Sequence, residues 1–299
     1  MAATHLTVMV FPGTQTLPLY AAQARGFFER RGLAVELKAA PNSAEQRAGL
    51  ADRRYQIVHG AADQCVALVE AKVDAIIVAG GDNGFNHLFV QPDIARLEDL
   101  RGRTLAADVA NTGWSFVLYD ILKRRGLSRG DYTIHEAGAP FRRFAAMRDD
   151  KLAAAILNPP FAIHARRAGL KDMGAVVDSI GPYLGTVPYV LRGWARANPE
   201  TLAAYLAACI EGLRFALDPA NRAAAIRLYA ERLDIPADIA KEVLAAASDP
   251  ANGLAKDAAF DRKGFETVLR LRADFEGREP APSEQYFDLS FHRLALAGL

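Results

Sequence analysis

The sequence has very little cysteine. Cys65 and Cys209 are the only two cysteines among the 299 residues, and neither stands in a CxxC pair or beside histidines at metal-ligand spacing. We therefore expect no metal-binding residue and no cofactor. Both thiols are expected to be small buried side chains, and the sequence leaves open whether they form a disulfide.

Long apolar runs and an excess of charge of one sign are absent as well. The apolar run at residues 73–79 is far shorter than the roughly 20 residues that a membrane-spanning helix needs, so no membrane-spanning segment is expected. Lysine and arginine number 36 against 35 aspartates and glutamates, which gives a net charge of +1. This balance provides no electrostatic basis for binding nucleic acid, and we expect no nucleic-acid partner.

No nucleophile stands in a recognisable catalytic arrangement. The six histidines are scattered along the chain, and no Ser/His/Asp or Cys/His grouping is apparent from the sequence. We therefore predict no catalytic residue.

What the sequence does have is one supersecondary unit that occurs twice. In the first copy, an apolar strand at Leu6–Phe11 and a polar loop at residues 13–16 lead into a helix over residues 17–28, whose apolar positions recur at helical spacing. The helix is expected to end at the Arg-Arg-Gly sequence of residues 30–32, where cations lie near the carbonyl end and glycine adopts the left-handed cap. A strand at residues 33–37 follows.

The second copy lies about a hundred residues later. It consists of a strand at Thr104–Ala107, a loop at residues 111–113, a helix at Trp114–Lys123 that ends in Arg-Arg-Gly at residues 124–126, and a strand around residues 132–135. This repetition predicts two similar α/β lobes, each with a strand-to-helix loop at the same edge of its sheet. Two such lobes that face each other form a cleft.

The order of the remaining elements predicts how the chain is divided between the lobes. We place the first crossover at the glycine-rich segment 80–84 and the second at a strand over residues 187–191. Residues 1–84 and 190–299 then form one discontinuous lobe, with the C-terminal helices packed on it, and residues 85–189 form the other. Within the second lobe, residues 175–177 are expected to form a strand.

Several segments together resemble the type 2 periplasmic substrate-binding proteins of ABC importers. The matching segments are ARGFF at residues 24–28, RGLAVE at 31–36, LEDLRGRTL at 97–105, the apolar strand and proline at 152–159, and YFDLS at 286–290. The likeness covers nearly the whole chain. It places the sequence in the nitrate, sulfonate, taurine and thiamine-precursor branch, called NMT1/THI5-like.

The resemblance implies an α/β fold of two lobes, each a mostly parallel sheet flanked by helices, with a hinge and an interlobe cleft. It also implies a monomer that binds a small organic molecule when the lobes close and that delivers it to the permease subunits of an ABC transporter. Members of this family are normally exported, which implies a periplasmic location. Residues 1–5 run into the first strand without a secretory signal, so the alternatives are a removed signal and a cytoplasmic protein.

The candidate ligand-binding residues lie in loops at the carboxyl ends of the strands, where ligands of open α/β sheets bind. Helix starts in these loops also offer free backbone N–H groups. Some candidates have structural alternatives, because Thr16, Asp63 and Asn158 are also suited to cap helices. Trp114 is suited equally to stacking on a planar ligand and to a core position, and Tyr183 is suited to the cleft wall or to the surface. The candidates are Thr14, Gln15, Thr16, Gly60, Ala61, Asp63, Asp82, Asn83, Asn111, Thr112, Gly113, Trp114, Asn158, Tyr183 and Thr186.

The charges near these loops bear on the ligand. The candidates include no lysine or arginine, and Arg142 and Arg143 are expected on a solvated helix face. Asp63, Asp82 and Asp108 are expected to make the cleft acidic. This composition favours a neutral or cationic ligand, such as a planar aromatic or pyrimidine-like compound, over an anion, although helix N-termini alone can hold an anion.

An enzyme on the same scaffold is the competing function. The superfamily includes cofactor-poor enzymes such as pyrimidine synthases, aromatic sulfinate desulfinases and decarboxylases. The chain lacks the cysteine- and histidine-rich run of the pyrimidine synthases, and its first loop has no cysteine of the kind expected in a desulfinase. We therefore predict binding without chemistry, with a cytoplasmic enzyme of this kind as the alternative.

Overall fold

The computed structural model describes residues 3–149 and 152–299, which contain two five-stranded sheets. The first sheet has the strand order β2-β1-β3-β10-β4, with β1 Thr4–Val10, β2 Leu33–Ala39, β3 Ile57–Ala61, β4 Ala75–Ile77 and β10 Thr186–Leu191. The second has the order β7-β6-β8-β5-β9, with β5 His87–Val90, β6 Thr104–Ala107, β7 Thr133–Glu136, β8 Ala154–Leu157 and β9 Lys171–Ala175. We call each sheet with its flanking helices the first and the second lobe.

Helices flank both sheets and continue to the C-terminus. Those up to the last crossover are α1 Leu17–Ala24, α2 Ser43–Ala51, α3 Ala62–Glu70, α4 Gly113–Lys123, α5 Pro140–Arg148, α6 Phe161–Arg167 and α7 Val176–Ile180. After it come α8 Arg192–Ala197, α9 Pro199–Leu217, α10 Arg222–Leu233, α11 Ala237–Ala247, α12 Arg262–Glu276 and α13 Ser290–Ala297. Among the described residues, no helix has both the length and the apolar character needed to cross a bilayer.

The predicted repeat is confirmed at the level of strand pairing. In the first copy β1 pairs with β2 in parallel, and in the second β6 pairs with β7 in parallel. The glycines at the two stops, Gly32 and Gly126, have left-handed φ angles of 69° and 77°. The helix predicted over residues 17–28 is broken, however, because Gly26 adopts φ 67° and α1 therefore ends at Ala24.

Each sheet contains one antiparallel strand, and that strand directly follows the point where the chain crosses over from the other sheet. Strand β5 pairs antiparallel with β8 and β9, and β10 pairs antiparallel with β3 and β4. The predicted change of lobe between residues 189 and 190 falls inside β10, whose residues pair with the first sheet from Thr186 onward. The chain thus crosses between the sheets twice, and the two orders match strand for strand.

The C-terminal helices contact both lobes. Helix α9 packs on α1 so closely that a Cβ at Gly212 would lie 2.1 Å from the Pro18 carbonyl oxygen. Helix α12 packs against α3 of the first lobe and α4 of the second, and α11 contacts α6. Helix α9 thus lies on a helix of the first lobe, whereas α11 and α12 also contact helices of the second.

The strand predicted at residues 175–177 is wrong. Ala175 ends β9, and Val176 begins α7. Val176 and Ile180 are both buried, and their separation of one helical turn places them on the same face, against α4. A short apolar run does not distinguish a strand from a buried helix by its pattern alone.

Candidate ligand-binding cleft

A cavity lies between the lobes, at the carboxyl ends of several strands. The space outside protein atoms there measures about 530 Å³, and part of it is open to solvent. Both lobes contribute side chains, and we call this space the cleft cavity. It is lined by Phe11, Gln15, Ser43, Ala61, Asp82, Phe85, Asn86, Asp108, Trp114, Pro140, Arg143, Asn158 and Thr186.

Three hydrogen-bonded contacts join the lobes around the cavity. The Thr14 hydroxyl donates to the Pro159 carbonyl at 3.0 Å, and the Asn158 amide donates to Gln15 Oε1 at 3.2 Å. The Ser43 backbone N–H donates to Asp108 Oδ2 at 3.2 Å, and its hydroxyl donates to the same oxygen. The loops after β1, β2, β6 and β8 therefore meet at one place.

The polar loop after β1 uses most of its hydrogen-bonding groups internally. The Gln15 side-chain amide and the Thr16 hydroxyl both donate to the Phe11 carbonyl, at 2.7 and 2.9 Å. Thr16 is the N-cap residue of α1 but makes no side-chain capping bond. Of the three candidates in this loop, only Gln15 lines the cavity, whereas buried Thr14 and Thr16 fix the shape of the loop.

Asp82 fastens the two crossover segments together. Its Oδ1 accepts from the Gly84 N–H at 2.9 Å, and its Oδ2 accepts from the Thr186 N–H at 2.7 Å. Burial raises the pKa of the Asp82 carboxyl to about 6, although these two backbone bonds act to lower it. A Cβ at Gly185 would lie 1.9 Å from Oδ1, so this approach requires glycine. Neighbouring Asn83 lies outside the cavity lining, and its Oδ1 has no partner among the described residues.

Asp63 belongs to a buried ion pair rather than to the cavity lining. Both of its oxygens accept from Arg272 of α12, at 2.7 and 2.9 Å. Gly113 faces this pair, because a Cβ there would lie 2.6 Å from the Asp63 Cβ. Asp63 therefore anchors α12 across the start of α4, and it is not the N-cap residue of α3, which is Ala61.

Trp114 and Tyr183 form an aromatic pair beside the cavity. Their ring centroids are 4.8 Å apart with an interplanar angle of 44°, and only Trp114 lines the cavity. Tyr183 is buried behind it, and its hydroxyl has no partner among the described residues. In the preceding loop Asn111 is exposed, while the Thr112 hydroxyl donates to the Val109 carbonyl at 3.0 Å.

The expectation that Arg143 lies on a solvated helix face is wrong. The residue is 4% exposed and lines the cavity, whereas Arg142 beside it is exposed. Helix α5 begins at Pro140 at the cavity edge, and the turn of about 100° per residue directs position 143 inward. Burial lowers the pKa of Arg143, and the nearby charge of Asp108 acts to raise it. The cleft therefore contains a cation that the sequence pattern did not reveal.

Some of the predicted residues line the cavity, whereas the others are buried behind its walls or lie outside it. Gln15, Ala61, Asp82, Trp114, Asn158 and Thr186 line the cavity. Thr14, Thr16, Gly60, Asp63, Asn83, Asn111, Thr112, Gly113 and Tyr183 do not. The prediction did not include Phe11, Ser43, Phe85, Asn86, Asp108, Pro140 or Arg143 as binding residues. Asp108 is expected in the cleft for its charge alone, although its position directly after β6 also makes it a binding candidate by the strand-end rule.

A family model described as NMT1/THI5 like matches residues 13–223, which is most of the chain. The chain belongs to the NMT1/THI5-like family. This membership agrees with the resemblance seen in the sequence, and the two similar five-stranded sheets agree with the fold that the resemblance implied.

Solved structures share the fold of this family member at low sequence identity. The periplasmic nitrate-binding protein NrtA from Synechocystis PCC 6803 superposes with a TM-score of 0.84 at 13% identity, over 99% of this chain and 89% of that one. The alkanesulfonate-binding protein SsuA from Xanthomonas axonopodis pv. citri, bound to MOPS, gives 0.78 at 15% identity, over 95% and 96%. A cysteine-to-serine mutant of DSZB in complex with biphenyl-2-sulfinic acid gives 0.68 at 15% identity, over 99% of each chain.

Among curated proteins, one short likeness was found to flap endonuclease 1 of Methanothermobacter thermautotrophicus. It is 48% identical over 62 residues, which is 19% of this chain and 19% of that protein. The likeness therefore spans about a fifth of the length of the relative. It is too short to indicate a shared family or activity.

Proposed function

We propose that this protein is the solute-binding component of an ABC importer and that it binds a small organic molecule between its lobes. The observation that carries the proposal is the cleft cavity, which is lined from both lobes by polar groups at the ends of sheet strands. Family membership and the likeness to proteins described as nitrate-binding and alkanesulfonate-binding support it. The proposal includes an extracytoplasmic location, a monomer and permease subunits as partners.

Binding is proposed to close the lobes about the two crossovers. The contacts from Gln15 to Asn158 and from Ser43 to Asp108 join opposite lobes, so they form only when the lobes are together. A ligand that contacts both walls binds the closed form better and shifts the equilibrium toward it. The Asp82 contacts to Gly84 and Thr186 stay within the crossover region, where a hinge would lie.

The proposal is one of binding without chemistry. Neither cysteine lines the cleft cavity, and both are buried elsewhere. Burial raises the pKa of the Cys209 thiol to about 12 and raises that of Cys65 as well. Since the thiolate is the nucleophilic form, neither thiol is suited to attack a bound compound, and we propose no catalytic residue, metal or cofactor.

Ligand screening of the purified protein tests this function. Thermal-shift measurements against a library of amines, pyrimidines, aromatic acids, amino acids, sulfonates and nitrate should reveal a compound that raises the melting temperature as mass action requires. Mass spectrometry should then recover that compound unchanged. Compounds recovered in altered form would favour the enzyme instead.

Paired variants distinguish binding in the cavity from binding elsewhere. Asn158→Ala removes a cavity side chain and should weaken the ligand at least tenfold. Asn111→Ala removes the same side chain from an exposed position in another loop of the same lobe and should leave affinity unchanged. Equal effects of the two variants would place the ligand outside the cleft cavity.

A further inference from the structure

Two buried charged side chains line the cleft cavity, and each has one solvent-shielded hydrogen-bonding atom that no described residue uses. Asp108 is 8% exposed and Arg143 is 4% exposed. Within the described residues, Asp108 Oδ1 and Arg143 Nε have no hydrogen-bond partner. A buried polar group without a partner is destabilising, and more so when it is charged. Native proteins therefore rarely keep such groups without a purpose.

The environment of Asp108 holds its carboxylate in place. Its Oδ2 accepts both the backbone N–H and the hydroxyl of Ser43, whereas Oδ1 has no partner in the described part of the chain. Ser43 begins α2 in the first lobe, and Asp108 follows β6 in the second. The carboxylate is thus fixed across the cleft, with one oxygen left to accept a hydrogen bond from a ligand.

Arg143 presents the complementary group from a different element. It lies in the first turns of α5, and both Arg143 and Asp108 line the same cavity. The charge of Asp108 is felt at the guanidinium, yet the two unused atoms do not pair with each other. A hydrogen-bond acceptor and a donor therefore lie near each other, and neither has a partner among the residues that the structure describes.

Asp82 also lines the cavity, and its charge limits which ligands can bond to both Asp108 and Arg143. Asp82 already accepts backbone N–H groups with each of its oxygens. A simple anion would pair with Arg143 but leave Asp108 Oδ1 without a donor, and it would bring a third negative charge next to two carboxylates. A simple cation would pair with Asp108 but leave Arg143 buried and unpaired, which is strongly unfavourable.

We propose that Asp108 and Arg143 form a recognition pair that selects a small amino-carboxylate zwitterion. The ligand ammonium group donates to Asp108 Oδ1, and the ligand carboxylate accepts from Arg143. The Trp114 ring, which lines the same cavity, covers the carbon skeleton between the two charged groups. This inference rests on the proposed function, because it names the class of solute that the cleft binds.

Calorimetric titration with two sets of matched probes tests the pair. One set is 4-aminobutanoate, butanoate and butylamine, and the other is 4-(aminomethyl)benzoate, benzoate and benzylamine. Within each set the compounds share a skeleton and differ in their charged ends. In at least one set the zwitterion should bind at least tenfold more tightly than both counterparts.

Variants assign each end of the zwitterion to its residue. Arg143→Gln should remove the advantage of the zwitterion over the amine, and Asp108→Asn should remove its advantage over the carboxylate. Arg142→Gln alters the exposed neighbour of Arg143 and serves as the matched control, with affinity unchanged. Circular dichroism melting of each variant ensures that a loss of binding is not a loss of folding.

The outcomes separate this inference from the proposed function. If in both probe sets the zwitterion binds no more tightly than its carboxylate or its amine counterpart, the inference is overturned. A library ligand that binds in the cleft cavity but lacks either charged end, or whose affinity is unchanged in both variants, overturns it as well. In those cases the solute-binding function stands. Failure of the whole library to give saturable binding overturns both.

Discussion

Asp82 is a buried carboxylate that joins the two crossover segments and makes stability depend on pH. It accepts main-chain N–H groups from both crossover segments and lies almost entirely away from solvent. Its pKa is raised from 3.8 to about 6 by burial. Since the folded state then holds the proton more tightly than the unfolded state, the contribution of this group to stability is present below about pH 4 and is lost as the pH rises through 6.

The first prediction concerns this pH dependence. The free energy of unfolding of the wild type relative to Asp82→Asn should fall by about 2.4 kcal/mol between pH 4 and pH 7.5, at about 1.4 kcal/mol per pKa unit, because the unfolded carboxyl is already partly ionised at pH 4. Urea unfolding at both pH values measures the difference, and comparison with the variant cancels all other titrating groups. A difference that stays constant with pH would contradict the raised pKa.

The second prediction concerns the ion pair of Asp63 and Arg272. Burial alone would lower the pKa of Arg272, but the carboxylates of Asp63 and Glu276 beside it together outweigh burial and raise that pKa. Arg272→Met leaves Asp63 buried without its partner and should lower the free energy of unfolding by about 3–5 kcal/mol. Chemical denaturation measures this loss.

A matched control for this prediction lies on the same helix. Arg270 forms an exposed pair with Asp274 at 3.1 Å, and Arg270→Met should change stability by no more than about 1 kcal/mol. The double variant Asp63→Asn with Arg272→Met should lose less than the sum of the single losses. Additive losses would indicate that the two side chains are not coupled.

At this scale the sequence predicts loops better than side-chain directions. Gln15 and Asn158 are predictable because both follow strands, and both line the cavity. Thr14 lies in the same loop as Gln15, but its hydroxyl is used by the carbonyl of Pro159, a residue far away in sequence. Arg143 is missed because only the packing of α5 against the cleft buries it. Local pattern identifies a loop, whereas tertiary contacts decide which of its side chains face the ligand space.

At the scale of elements, the two helix stops have the same hydrogen-bond pattern. The Leu33 N–H donates to the Phe28 carbonyl at 3.0 Å, and the Leu127 N–H donates to the Leu122 carbonyl at 3.0 Å. In each case the glycine between takes the left-handed conformation. These stops are predictable because Arg-Arg-Gly-Leu is a local signal. The break at Gly26 is not, because an isolated glycine also occurs inside helices.

The third prediction follows from these stops. Gly32→Ala and Gly126→Ala should each lower the free energy of unfolding by about 1 kcal/mol, because alanine is strained at positive φ. Neither new Cβ would meet an atom within 4 Å, so the loss is one of backbone conformation alone. Denaturant unfolding of the two variants should give similar values.

Gly193 supplies the control for these substitutions. It lies in α8, it does not have a positive φ, and a Cβ there also meets nothing within 4 Å. Gly193→Ala should therefore raise stability by roughly 0.5–1 kcal/mol. A loss at Gly193 equal to that at Gly32 would show that the backbone argument is wrong.

At the scale of the whole molecule, the two lobes and the cleft follow from the repeat in the sequence. The places where the lobes join are set by β5 and β10, the antiparallel strands that follow the two crossovers. Strand β5 covers residues His87–Val90. Its partners are not predictable, because antiparallel pairing with β8 depends on residues that lie more than sixty positions away in sequence. The sequence of a short strand carries no local signal that identifies the strand with which it pairs.

The fourth prediction concerns lobe closure. A double variant, Ser43→Ala with Asn158→Ala, removes side-chain bonds that join the lobes and should favour an open form. Small-angle X-ray scattering should give a radius of gyration above the roughly 19 Å expected for a compact chain of this length. The exposed-site variant Asn111→Ala should scatter like the wild type, and an unchanged radius in the double variant would contradict a role of these bonds in closure.

The position of β10 in the first sheet also sets the order in which the protein is completed during translation. Strand β4 pairs with β10, yet the ribosome makes the entire second sheet between them. At about 5–20 residues per second, β4 therefore waits for several seconds or longer without its hydrogen-bonding partner. The second lobe, which is synthesised later but is contiguous, has all of its strands first. The sheet whose first strands are made earliest is thus the last to have all of its strands.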